Sequence, residues 1–217
     1  MVRHENCSNV RVVGAQGTSD DLDVPIEAMF RDSAFKQATG LSSMNSVNIV
    51  RLLSQIVHFF WSYLQLEPQA AKPVAFSVPT GAAGHISAAI LAAKMGLPVA
   101  CLCASVNDND ILHRFLKSGA LVRSTLTHTN SPAMDIQAPY NVERMLYIAT
   151  DPEDGSKVAD WMTGYNTGNL HVSPDVLDPL RALGLCSTTV SSSDVLSTIN
   201  KVYNSNKVCI VYFHDGV

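Results

Sequence analysis

The sequence predicts an α/β fold built on a parallel sheet, and three observations carry that prediction. A strand, a glycine-rich turn, a helix and a second strand succeed one another over residues 74–104, the alternation that builds parallel layers. A long, mostly apolar helix precedes them at 46–66. The 217 residues are 47% hydrophobic and 16% charged, against roughly 25% charged in an average soluble domain. The chain therefore holds more interior than its length requires.

Taken in order, residues 10–13 read as a short strand and 25–38 as a helix, with Pro25 in its first turn and Gly40 as its stop. In the 46–66 helix the polar side chains Asn48, Arg51, Gln55, His58 and Ser62 recur every three or four residues. At about 100° per residue they form one stripe, either the helix's only exposure or the lining of a polar cleft. Residues 74–78 form a strand, 79–85 a tight turn of small residues, and 86–95 an Ala-rich helix closed by Gly96. The continuously apolar 97–104 reads as a strand covered on both faces. A helix over 110–117 with caps at Asn107 or Asn109 and Gly119, and a third strand at 120–124, complete a doubly wound layer. Five prolines break 130–180 into short pieces; a helix follows at 193–203 and a buried strand at 208–213.

Composition excludes several classes. A chain this apolar buries a core rather than staying disordered. The longest stretch free of charge and proline, 52–66, contains Ser54, Gln55, His58 and Ser62, short of the roughly 18 apolar residues of a membrane span. A net charge of −4 gives no basic face for nucleic acid or anionic lipid. Cys7, Cys101, Cys103, Cys186 and Cys209 include no CxxC, so no zinc or thioredoxin site is expected. They read as buried free thiols in a reducing compartment, with Cys101 and Cys103 on one face of a strand. The first six residues have no apolar signal core. His4, His58, His113, His128, His171 and His214 have no paired spacing and read as structural or surface residues.

The chemistry concentrates in the turn Pro79-Thr80-Gly81-Ala82-Ala83-Gly84-His85. A strand feeding a glycine turn and a helix N-terminus converges backbone N–H groups on one point, which suits a phosphate. The turn lacks the Lys and Ser/Thr of a P-loop and the third glycine of a dinucleotide fingerprint. Spacing alone leaves phosphate binding and a plain tight turn both open.

The neighbouring strings go further. Asn45-Ser46-Val47-Asn48 with Arg51, Phe76-Ser77-Val78-Pro79-Thr80-Gly81, and Lys94-Met95-Gly96-Leu97-Pro98 resemble the threonine synthase family. So do Asn107-Asp108-Asn109-Asp110-Ile111-Leu112, Ser131-Pro132-Ala133-Met134-Asp135-Ile136 and Asn141-Val142-Glu143-Arg144. The strings GAQGTSDD at 14–21 and TGAAG at 80–84 look most like the family's animal branch. The resemblance covers roughly residues 10–210. It implies the fold type II architecture of the tryptophan-synthase-β kind, and pyridoxal 5′-phosphate as cofactor. It implies a catabolic phospho-lyase, acting on O-phosphothreonine or O-phosphohomoserine to give α-ketobutyrate, ammonia and phosphate. Thr80, Gly81, Ala82, Ala83, Gly84 and His85 match the cofactor-phosphate cradle. Asn45, Ser46, Asn48 and Arg51 lie in the active-site region and are expected to contact substrate, Arg51 through its phosphate. This shifts the polar stripe toward the cleft reading.

The chain also departs from the family. The family's Schiff-base lysine lies in a motif upstream of all the matching strings, and Phe35-Lys36 only echoes it, so no catalytic residue is assigned. Residues 210–217 replace the segment that contacts the pyridine nitrogen, and His85 stands where the family has Asn. Residues 1–217 are accordingly expected to form a partial domain, lacking the lysine-bearing N-terminal part and the C-terminal part. The expected partner is a small phosphorylated amino acid, the expected location cytoplasmic, and an uncovered sheet face is expected to drive self-association. The alternative is a shortened, non-catalytic form resembling a secreted signalling protein that engages a receptor, leaving the cell without a signal peptide. A partial gene model of an ordinary enzyme stands as a third possibility.

Overall fold

The computed structural model describes residues 9–66, 72–150 and 154–208. Residues 10–13, expected as a strand, pair with nothing among the described residues and leave Val10, Val12 and Val13 exposed. Helix α1 (Ser19–Arg31) opens on a capping box. Thr18 accepts from the Asp21 amide, and the Asp21 carboxylate accepts from the Thr18 amide at 2.8 Å. This cap starts the helix six residues before Pro25, which falls inside it. The single helix expected at 25–38 is therefore two. Asp32 ends α1 and caps α2 (Ser33–Thr39) by accepting from the Phe35 amide, and Gly40 stops α2 with φ 64°.

Helix α3 (Ile49–Gln65) begins at Asn48, whose side chain accepts from the Val50 amide. It buries Leu52, Ile56, Phe59 and Tyr63 at i, i+4, i+7 and i+11 and packs this stripe on α4 (Gly84–Lys94). The sequence suggested burial on most of its surface. Instead Val50, Leu53, Val57, Trp61 and Leu64 are all more than half exposed, because α3 has a packing partner along one side only among the described residues.

Strands β1 (Val74–Pro79), β2 (Val99–Val106) and β5 (Leu185–Thr189) form a parallel sheet in the order β1-β2-β5. Between them run α4, α5 (Ile111–Ser118), α6 (Val142–Ala149), α7 (Gly155–Asn166) and α8 (Asp178–Ala182), so the α/β class holds. The third parallel strand is not the segment expected at 120–124. β3 (Ala120–Val122) leaves the sheet and pairs antiparallel with β4 (Asn169–His171). The turn at Gly119 forces this departure. Its φ is +75° and its carbonyl accepts from the Val172 amide. Helix α9 (Ser192–Asn206) closes the described chain, and Ser191 accepts from the Asp194 amide at its start. The strand expected at 208–213 lies, but for Val208, outside the described residues, as do Cys7 and Cys209.

Burial of the parallel sheet is one-sided. Val78, Leu102, Ala104, Val106 and Leu185 point into the core with Ile86, Ile90, Phe115, Met145 and Leu146. The alternate row contains Ala75, Ser77, Cys101, Cys103, Cys186 and Thr188 and is exposed or half-buried. The covering expected on both faces of β2 is present on one. No described helix is long and apolar enough to cross a membrane, and no described His, Cys, Asp and Glu side chains group to hold a metal ion.

Candidate functional site

The glycine turn sits where β1 ends and α4 begins. The Thr80 amide donates to Ser105 in β2, fixing the end of the strand. The Thr80 hydroxyl donates to the Val78 carbonyl at 2.7 Å and is buried, so it shapes the turn from within. Ala83 precedes α4 with φ 65°, a left-handed conformation rare for a residue with a side chain. It aims successive amides the same way. Among the described residues, no backbone or side-chain acceptor takes a hydrogen from the amides of Gly81, Ala82, Ala83, Gly84, His85 or Ile86. Four of these, from Ala83 to Ile86, are orphaned by helix geometry. The others are orphaned by the turn. This set fits a phosphate: several unpaired donors, a helix dipole, and no charge to be moved.

The two glycines are needed for room. A Cβ on Gly84 would stand 3.1 Å from Ser46 Cβ, and one on Gly81 3.2 Å from Ile136 Cγ1. Segment 45–48 thus lies directly against the turn, and a polar network binds them. The fully buried Asn141 donates through Nδ2 to the Ala82 carbonyl (2.8 Å) and to Ser46 Oγ (3.2 Å), and its amide also donates to Ala82. Tyr140 donates to Asn45 Oδ1 and lies 2.8 Å from Ser46 Oγ. Arg144 donates to the Val47 carbonyl. Burial holds the Tyr140 hydroxyl above its ordinary pKa, although its contact with Ser46 pulls the other way, so it remains a neutral donor. Asn141 Oδ1 is buried without a partner.

The remaining candidates serve local structure. Asn48 caps α3 and donates through Nδ2 to the Ser43 carbonyl. Arg51 donates to the Met44 carbonyl at 3.1 Å. The polar stripe runs from these residues past Gln55, whose Oε1 is buried and unpaired, to His58, 5.9 Å from the His85 ring. His85 packs on Phe59 at 4.7 Å. Its burial, and secondarily His58, lower its pKa. It adds no positive charge to the turn at neutral pH. Lys36 lies over the Phe30 ring in the α1–α2 region, and no described hydrogen bond joins a lysine to 80–85.

Sequence reading assigned no role to Asn141, Tyr140, Arg144 or Asp135. The signal for three of them was present in the strings around 131–136 and 141–144. Asp135 is buried and accepts from Asn107 Nδ2 (2.7 Å), Asn109 Nδ2 (3.1 Å) and both Thr129 donors. Two strings far apart in sequence therefore meet at one carboxylate.

No family model matches the chain. It is 38% identical over 214 residues to threonine synthase-like 2 of Xenopus laevis, covering 95% of this chain and 45% of that protein. It is 38% identical over 199 residues to threonine synthase of Pseudomonas aeruginosa, covering 91% and 42%. Its fold superposes on a PLP-bound threonine synthase from Brucella melitensis with a TM-score of 0.78 at 35% identity, over 90% of this chain and 42% of that one. The chain thus spans less than half the length of these relatives, and its α/β fold is the corresponding part of the fold type II architecture. Over the span that it covers, the chain belongs to the threonine synthase family.

Proposed function

We propose that this chain carries the cofactor-phosphate cradle of a threonine-synthase-like, pyridoxal-phosphate-dependent lyase acting on O-phosphothreonine or O-phosphohomoserine. The observation that carries the reading is the run of unpaired amides from Gly81 to Ile86 at the start of α4. In this reading Gly81, Ala82, Ala83, Gly84 and His85 hold the cofactor phosphate through N–H groups, and Thr80 sets the turn from behind. Asn141 keeps the Ala82 carbonyl turned away from the anion by occupying it twice. Tyr140, Asn141 and Arg144 hold Asn45 and Ser46 beside the cradle, where they orient the phosphorylated amino acid. Asn48 and Arg51 set the entry to α3, and Arg51, which holds the Met44 carbonyl through one Nη1–H, keeps further N–H donors for the substrate phosphate. Pyridoxal phosphate, when bound, supplies the electron sink for charge developing beside the amino group.

Dialysis of the full chain against pyridoxal phosphate tests the cradle. Retention that inorganic phosphate displaces supports it, and retention indifferent to phosphate overturns it. Asn141→Ala keeps the far-ultraviolet spectrum and weakens retention by about tenfold, the size of one lost buried hydrogen bond. Unchanged retention shows that the cradle holds its shape without Asn141 and removes that residue from this role.

A second reading rests on a specific feature: no described lysine bonds to the cradle. In it the chain is non-catalytic and acts as a secreted, receptor-engaging signal. Borohydride reduction of the loaded chain followed by peptide mapping separates the two. Cofactor fixed to any of the seven lysines favours the enzyme, as does release of α-ketobutyrate and phosphate. Protein recovered from conditioned medium rather than cytosol favours the signal.

A further inference from the structure

The uncovered row of the parallel sheet carries three thiols that the cofactor site does not use. Cys101 and Cys103 stand two apart on β2, and Cys186 lies on the neighbouring β5, opposite Cys103 in the register. They are not the buried thiols that the sequence suggested: Cys186 is exposed, and Cys101 and Cys103 are half-buried. Cys101 Sγ lies 3.2 Å from Cys186 Sγ, inside the sum of two sulfur radii. Cys103 instead leans along its own strand, 3.9 Å from Ser105 Oγ. Cys186 also lines a surface cleft of about 380 Å³ together with Lys117 and Arg181. Arg181 is held by Asp178 at 2.6 Å, which leaves the Lys117 ammonium to draw an anionic reagent toward the thiol pair.

We propose that Cys101 and Cys186 form a reversible disulfide bridging β2 and β5 on the open face of the sheet, with a small anionic disulfide of the glutathione type as oxidant. The Cys101 thiolate attacks one sulfur of oxidised glutathione. The glutathione S–S bond breaks, a mixed disulfide forms, and one glutathione thiolate leaves and takes up a proton. Cys186 then loses its proton and displaces the second glutathione, forming the Cys101–Cys186 bond. Two protein thiols are oxidised and one glutathione disulfide is reduced to two thiols. Partial desolvation on the sheet face, with hydrogen bonding to Cys101 and Cys103, pushes the Cys186 thiol up to about 12. The second step therefore quickens as pH rises. The bond closes a long loop between the two strands, which restricts the unfolded chain and raises the unfolding temperature of the oxidised form.

The test oxidises the reduced full chain with oxidised glutathione and maps its peptides without reductant. The expected product is one linked pair of peptides containing Cys101 and Cys186, restored to free thiols by dithiothreitol. Cys103→Ser leaves this pair in place. Cys101→Ser or Cys186→Ser abolishes it and leaves glutathione on the remaining sulfur, with the circular dichroism spectrum unchanged. A Cys103–Cys186 bond, a bond to Cys7 or Cys209, or glutathione on separate cysteines alone overturns the proposal. So does an equal yield of the same pair when oxidation is carried out in guanidinium chloride, since proximity would then owe nothing to the fold.

Discussion

At the scale of single residues, His85 shows how packing keeps an imidazole beside the glycine turn uncharged. Its ring lies on Phe59 and beside His58, Nδ1 has no partner, and burial lowers its pKa from the ordinary value of 6.5. A lowered folded-state pKa means that the unfolded chain binds the proton first. The stability held by neutral His85 is therefore complete above about pH 6.5 and falls as pH drops from there toward the folded-state value. Urea midpoints measured between pH 7.5 and pH 5 should decline over this window, and His85→Gln should flatten the decline. An equally steep decline in the variant assigns the effect to another group. Ala83 is the companion case. Its left-handed backbone is strained for an alanine, roughly 1–3 kcal/mol, and the strain coincides with the unpaired amides. Nothing in the sequence marked Ala83 apart from Ala82, because which alanine takes the positive φ depends on where α4 docks.

At the scale of elements, the turn from α5 into β3 decides the topology after the second strand. A Cβ on Gly119 would come within 2.2 Å of the Val172 carbonyl oxygen, and its φ is +75°. Both the left-handed backbone and the close approach of the 172–174 segment demand glycine. Gly119→Ala should destabilise the chain by about 3 kcal/mol or more, read as a lower urea midpoint. A loss below 1 kcal/mol (roughly the cost of the backbone conformation alone) would mean that the β4 side yields. The sequence marked Gly119 as a helix stop, which it is. It did not show that the following strand turns away to meet β4, since the partner strand lies about 50 residues downstream and is three residues long. The glycine stops were the more legible features: Gly40 and Gly96 follow helix ends as expected. The helix starts were not, since Asp32 and Asn48 cap α2 and α3 although both read as lying inside a helix, and α5 starts after Asp110 without a side-chain cap from Asn107 or Asn109.

At the scale of the whole molecule, one apolar helix side and one mixed sheet face remain uncovered among the described residues. One is the outer side of α3, where Trp61 is 63% and Val50 62% exposed. The other is the sheet row containing Ala75, Cys101 and Cys186. Contiguous apolar surface like that of α3 favours association. Sedimentation of the isolated chain should show concentration-dependent self-association, and the double variant Val57→Gln/Trp61→Gln should reduce it while leaving pyridoxal phosphate retention unchanged. A monomer at all concentrations would show that the exposed side of α3 is not adhesive. The relatives that this chain matches are more than twice as long as the matched span.

The sequence by itself determined the local units: the strand-turn-helix around 74–95, the glycine stops at Gly40, Gly96 and Gly119, and the strings that place the chain in the threonine synthase family. These follow from periodicity, capping and glycine chemistry, which act over a few residues. Only the tertiary structure decided which strings meet. It brought Asn141 to the Ala82 carbonyl across 59 residues and Asp135 to Asn107 across 28. It also set Cys101 against Cys186 across 85 residues. It further left one face of the sheet and one side of α3 open, although their apolar residues read as buried. The reason is that a hydrophobic pattern states which side chains gain from burial, whereas the packing of distant elements decides which of them obtain it.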